Sequence, residues 1–171
     1  MSVKSTHIRY PFAPLREGAF FFPTDNGCFY TVEFAKSAIK LGKDTLLQNN
    51  GEVYEISFTG TCDDIAIYDS VVSATLIHII TTNIISRGDT AVHFYVCDNT
   101  DGFGKLRSRL FDLWYIGLEK EIAGLEKFNY MLKGIEEEEY HVSLFIFDNH
   151  PEYDNYVASF EKNLSENFSK S

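Results

Sequence analysis

Cysteine is scarce in this chain. Cys28, Cys62 and Cys97 lie far apart, with no C-x-x-C pair among them. An odd, small number argues against a secreted disulfide framework, so a reduced, cytoplasmic protein is expected. Long apolar runs are missing too. Near the N-terminus the longest is Ala19-Phe20-Phe21-Phe22, far short of the ~20 residues a membrane helix needs. Met1 to Tyr10 carries Lys4, His7 and Arg9 without an apolar stretch, which does not read as a signal peptide. Basic residues are outnumbered, 15 against 25 acidic, for a net charge of −10. Phosphate backbones and anionic membranes call for clustered Lys and Arg, so neither is an expected partner. Tryptophan occurs once, and three of the four prolines fall within the first 23 residues.

What remains is an ordinary globular composition, 44% hydrophobic and 23% charged over 171 residues. That length suits one domain spanning 1–171, with an irregular lead-in over 1–18 and a polar, frayed tail over 165–171. Aromatics are abundant, with 15 Phe and 10 Tyr. Phe20 to Phe34 reads as a hairpin. Asn26-Gly27 suits a two-residue type I′ turn, and Pro23 favours a place at the sheet's edge. Glu52 to Thr59 alternates as a third strand, and 36–48 reads as a linker.

Asp69 to Arg87 holds 19 residues without Gly or Pro. Val72, Leu76, Ile79 and Ile80 fall at helical offsets, with Gly88 as a stop. Thr90 to Asp98 reads as a strand. Gly104 to Leu118 reads as a helix burying Leu106, Leu110, Leu113 and Gly117. Ile122 to Ile135 fits either a helix or a strand. Strand is preferred there, because Tyr140 to Phe147 is a good partner for it. Pro151 opens a last helix with Tyr153, Tyr156, Val157, Phe160 and Leu164 on one face. The resulting expectation is an α+β domain, a mixed, mainly antiparallel sheet with about three helices packed on one face.

Chemistry concentrates in Tyr95 to Arg109, a strand, a turn with two glycines, and a helix start bearing Lys105, Arg107 and Arg109. Free N–H groups at a helix start beside glycine make an anion site. Asn99, Gly102, Gly104, Lys105 and Arg109 are the candidate binding residues. Asn99-x-x-Gly102-x-Gly104 resembles the pyrophosphate loop of the GNAT acetyltransferases, which implies CoA as ligand. Asn99 stands where that family has Gln or Arg, and Asp98 and Asp101 bring negative charge to the loop. The same residues also make an ordinary turn, with Asp101 and Lys105 paired on the helix surface. Arg107 is expected to pair with Asp98 or Asp101 and fix the strand-to-helix turn.

No metal site is expected, since His93 and Cys97 stand ~13 Å apart along an extended strand. A reactive Cys97 needs a base, and His93 and His141 are the candidates. Asp63-Asp64 and the run Glu136 to Glu139 read as solvated turns. Tyr10, Phe12, Tyr30, Tyr54, Tyr68, Tyr115, Tyr153 and Tyr156 form an aromatic surplus suited to an interface. The block Tyr95-x-Cys97-Asp98-x-x-Asp101-Gly102, then Arg107-x-Arg109-Leu110-Phe111-x-x-Trp114 and Asn149-His150-Pro151, resembles small uncharacterised proteins of the Bacteroidota. That implies a compact bacterial domain and carries over no catalytic residue. Two functions are thus expected. One is an interaction or regulatory module, as a homodimer or with another protein and without a cofactor. The other is a GNAT-like acyl-CoA or phosphate-ligand enzyme using 98–109.

Overall fold

The computed structural model describes residues 8–36, 52–62, 70–97, 104–133 and 139–158, with the side chains of 104–110, 132, 133 and 139 left out. The strands are β1 (Ala13–Arg16), β2 (Ala19–Pro23), β3 (Phe29–Lys36), β4 (Glu52–Thr61), β5 (Ala91–Cys97), β6 (Leu125–Lys133) and β7 (Glu139–Phe147). The helices are α1 (Ser70–Arg87) and α2 (Gly104–Glu121), with a further helical stretch at 153–158. All seven strands form one sheet in the order β1-β2-β3-β4-β5-β7-β6. Among the described residues only the β4–β5 pair is parallel, so the sheet is mixed and mainly antiparallel, and the domain is α+β as expected.

The β2–β3 hairpin forms with Pro23 opposite Phe29. Its turn differs from the expected one. Thr24 N–H donates to Cys28 O (2.9 Å) and Gly27 N–H to Thr24 O (3.2 Å). The loop is therefore the three residues Asp25-Asn26-Gly27, and only Gly27 (φ 80°) needs the left-handed region. The hairpin is also not the outermost pair, because Ala13–Arg16 of the supposedly irregular lead-in pairs with β2. Pro23 still escapes a second neighbour, since β1 reaches only as far as Phe21.

The ambiguous segment after α2 is a strand, longer than expected, paired with β7 from Leu125–Phe147 to Lys133–Glu139. β7 then inserts between β6 and β5. This placement covers one edge of β5 with β7 and the other, from Ala91 to Phe94, with β4, and both its faces are packed, which is why Ala91–Cys97 is apolar almost throughout.

α1 and α2 cover one face. α1 buries Val72, Leu76, Ile79 and Ile80, the stripe read from its spacing, and Ile84 one turn further on. α2 is turned relative to expectation. Its buried stripe is Phe111, Trp114 and Leu118, continued past the helix end by Ile122, while Leu113 is 62% exposed. Phe111 stacks on Tyr95 at 3.6 Å, and both Phe111 and Trp114 pack on Phe58 at 5.5 Å. Aromatic rings bury more area than leucines, so they decide which side of the helix meets the sheet. Helices on one face holds for α1 and α2. Residues 153–158 instead cover the opposite face, where Tyr156 joins Val92, Phe94, Val142, Leu144 and Ile146.

A disulfide joins Cys28 to Cys62, contrary to the expectation of a fully reduced chain. The β3–β4 register pairs Phe29 with Thr61. One step further along the ladder places Cys28 opposite Cys62, and cross-strand neighbours stand at bonding distance. Among the described residues no helix is long and apolar enough to cross a membrane.

Candidate functional site

Parallel pairing of β4 with β5 is short. It runs from Glu52–Ala91 to Glu55–Phe94 and then stops. Beyond that point β4 continues to Thr61 and β5 to Cys97, and the two strands diverge around a cleft of about 350 Å³. The crevice beyond the carboxyl ends of parallel strands is where open α/β sheets take ligands. This volume lies within the range of small-molecule sites.

Strand alternation gives the cleft two characters. On the helix side stand Ile56, Phe58, Tyr95, Cys97 and Phe111; on the other stand Glu55, Ser57, Thr59 and Val96. Partial burial raises the carboxyl pKa of Glu55. Tyr95 is 1% exposed, and burial raises its phenol pKa as well. Its hydroxyl lies against Ser143 of β7, a contact that works against that rise. Across the β5–β7 pair, Ser143 Oγ donates to Asn129 Oδ1 (2.6 Å).

Behind this wall a buried cation closes the polar row. The Lys127 side chain is 3% exposed and pairs with Asp112 of α2. Its Nζ also donates to Asn129 Oδ1 (2.6 Å) and lies 5.7 Å from the Tyr95 ring centroid. Burial lowers the Lys127 pKa, and Asp112 acts against that shift.

The two candidate bases for Cys97 are separated by this geometry. β5 pairs Cys97 directly with His141 of β7, so both side chains lie on the α2-covered face. Cys97 is buried and takes no part in the disulfide. His93 sits four residues back, stacked on Tyr54 at 5.6 Å and edge-on to Phe34 at 6.3 Å. Burial, then the charge of Arg87, pushes its pKa down to about 3. His93 is thus a neutral core residue at the foot of the cleft. His150 is structural: its Nδ1 accepts from Glu152 N–H (3.0 Å), leaving Nε2–H to donate to Thr90 O (3.0 Å).

Of the binding residues read from the sequence, Asn99 and Gly102 lie outside the described residues, as do Asp98 and Asp101. Gly104, Lys105, Arg107 and Arg109 belong to the first turns of α2, but their side chains also lie outside the description. The expected pairing of Arg107 with Asp98 or Asp101 therefore falls outside it too. The β4 wall, Glu55 to Gly60, was not read as a site. Its only sequence signal is polar Glu55, Ser57 and Thr59 alternating with apolar residues, the pattern of any half-exposed strand. Among the described residues no three His, Cys, Asp or Glu side chains converge as a metal site. No family model matches the chain, and no curated protein or solved structure proves similar to it.

Proposed function

We propose that this domain binds an extended, amide-bearing small molecule between β4 and β5, and that the pantetheine arm of a CoA thioester is the best-fitting chemistry. One observation carries the reading: parallel pairing ends at Glu55–Phe94 while both strands run on. The inner edges of the diverging strands turn main-chain N–H and C=O groups toward the gap, and such groups want partners. An amide-bearing chain supplies them, as added strands do in peptide recognition. Ile56, Phe58 and Phe111 offer apolar contact to the arm, and Ser57 and Thr59 face its polar side. The segment Asn99 to Arg109, which continues from β5, would take the phosphates at the α2 N-terminus.

The test is thermal unfolding with acetyl-CoA, CoA, ATP and no ligand. A ligand at 100 times its Kd adds ~2.7 kcal/mol, or roughly 5–11 °C for a domain of this size. Acetyl-CoA and CoA should both give this shift, and Ser57→Trp, which fills the cleft, should abolish it. A wild-type melt unmoved by every compound overturns the reading.

A second reading, a protein-interaction module, rests on α2. Leu113 and Ile116 remain 62% and 49% exposed on one side of this helix. Light scattering after size exclusion tests self-association. A dimer that Leu113→Ser/Ile116→Ser converts to monomer supports this reading, and a strict monomer argues against the homodimer.

A further inference from the structure

We propose that a hollow between α1 and α2 binds a small free α-amino acid as its zwitterion, glycine or alanine being the best fit. This site is separate from the β4–β5 cleft and does not depend on that reading. Three elements build it. Ala74 of α1 and Gly117 of α2 are small residues that leave room between the helices, and Ile77 completes an apolar floor. His78 and Glu121 follow one turn along each helix, at i+4 from Ala74 and Gly117, and line the same hollow. Arg9 reaches it from the segment before β1. That segment is tied down over α1: Tyr10 N–H donates to Thr75 Oγ1 (2.9 Å), and Phe12 packs edge-on against the His78 ring at 5.7 Å.

The charges point to the ligand. Arg9 and Glu121 line one hollow with opposite signs, yet neither forms an ion pair among the described residues. Both act on the ring between them: burial and then the charge of Arg9 lower the His78 pKa, while Glu121 works against them. His78 is therefore a neutral imidazole near pH 7, with one N–H and one lone pair to offer. A simple anion would meet the Glu121 carboxylate here, and a simple cation the Arg9 guanidinium. A molecule carrying both charges close together meets neither objection.

An α-amino acid has this form. Its carboxylate takes the Arg9 guanidinium and its ammonium the Glu121 carboxylate, both as charge-assisted hydrogen bonds. The lone pair of His78 accepts a second ammonium hydrogen, and the α-carbon with its methyl rests on Ala74, Ile77 and Gly117. The hollow measures about 130 Å³. At ~30 Å³ per water that is room for roughly four waters, or roughly five or six heavy atoms of a compact solute. Glycine and alanine are of that size, and a nucleotide or CoA is far larger.

Titration of the isotope-labelled protein with L-alanine and glycine, followed by NMR, tests this, with acetate and ethylamine as single-charge controls. The amide signals of Gly117 and His78 should shift and saturate with both amino acids, at concentrations at least ~10-fold below those needed for either control. Arg9→Gln and Glu121→Gln should each weaken L-alanine binding by about 10- to 100-fold, the effect of one lost charged hydrogen bond. Both side chains are exposed, so neither change should move the thermal melt. Ala74→Leu, which fills the hollow, should abolish the shifts. No saturable shift with either amino acid overturns the proposal. Acetate or ethylamine binding as tightly as alanine overturns the zwitterion chemistry. Alanine binding that survives Arg9→Gln and Glu121→Gln unchanged overturns the site.

Discussion

His93 should make the fold sensitive to mild acid. It is 1% exposed, enclosed by Tyr54 and Phe34, and its Nε2 has no hydrogen-bond partner among the described residues. Its folded pKa is about 3, against an ordinary value of 6.5. Below 6.5 the unfolded chain binds a proton that the folded chain refuses until about 3. Falling pH therefore favours unfolding throughout this window, and the stability regained on raising the pH is complete only above 6.5. The slope is about 1.4 kcal/mol per pH unit, so moving from about pH 7.5 to about pH 5 costs roughly 2 kcal/mol from this residue alone. Other groups titrate in the same range, His78 among them, whose pKa burial also lowers. A difference isolates His93. Urea unfolding of wild type and His93→Phe should be measured at both pH values. Phe suits the aromatic surroundings and does not titrate. The wild type should lose about 2 kcal/mol more than the variant on acidification. Equal losses would refute the reasoning, because they would mean His93 gains its proton as readily folded as unfolded.

Three further outcomes follow from the packing. The Cys28–Cys62 bond closes a separation of 34 residues, so Cys28→Ser/Cys62→Ser, or reductant, should lower stability by about 4 kcal/mol. That is a fall of roughly 8–16 °C in Tm by calorimetry; a melt indifferent to reductant would contradict it. Trp114→Ala should cost ~3–5 kcal/mol in a chemical melt, while Leu113→Ser should stay within ~0.5 kcal/mol; the reverse order would mean α2 is turned the other way. Gly124 has φ 79°, and a Cβ there would lie 2.8 Å from Asp148 Oδ1. Gly124→Ala should therefore cost ~1–2 kcal/mol by the same assay.

Much of the fold was legible because its signals are local. The β2–β3 hairpin, the α1 stripe and the β4 alternation each lie within a few residues, where side-chain period reports which face is buried. β1 was hidden because Pro11 and Pro14 read as irregular lead-in, although an edge strand tolerates proline. The face of α2 was misread because Leu106, Leu110 and Leu113 compete with Phe111, Trp114 and Leu118 at equal helical spacing. Only the sheet's own aromatics, Tyr95 and Phe58, settle that choice.

The site was less legible because it is made of register. Nothing near Cys28 announces Cys62, and nothing near Cys97 distinguishes His141 from His93. Both choices follow from which strands pair and at what offset. The cleft depends on where β4 and β5 stop pairing, which no window of residues records.

The strand order also bears on how the protein is made. β5 and β6 are held together only through β7, which comes after both in the chain. A ribosome therefore releases β5 with one lengthwise edge bare, and that edge stays bare until residue 147 has emerged. During this interval a strand of mostly buried, apolar residues is open to pairing with other chains. A pause in translation between α2 and β7 should thus be more damaging than one before β4. The hairpin that finishes the sheet also ends its exposure to aggregation.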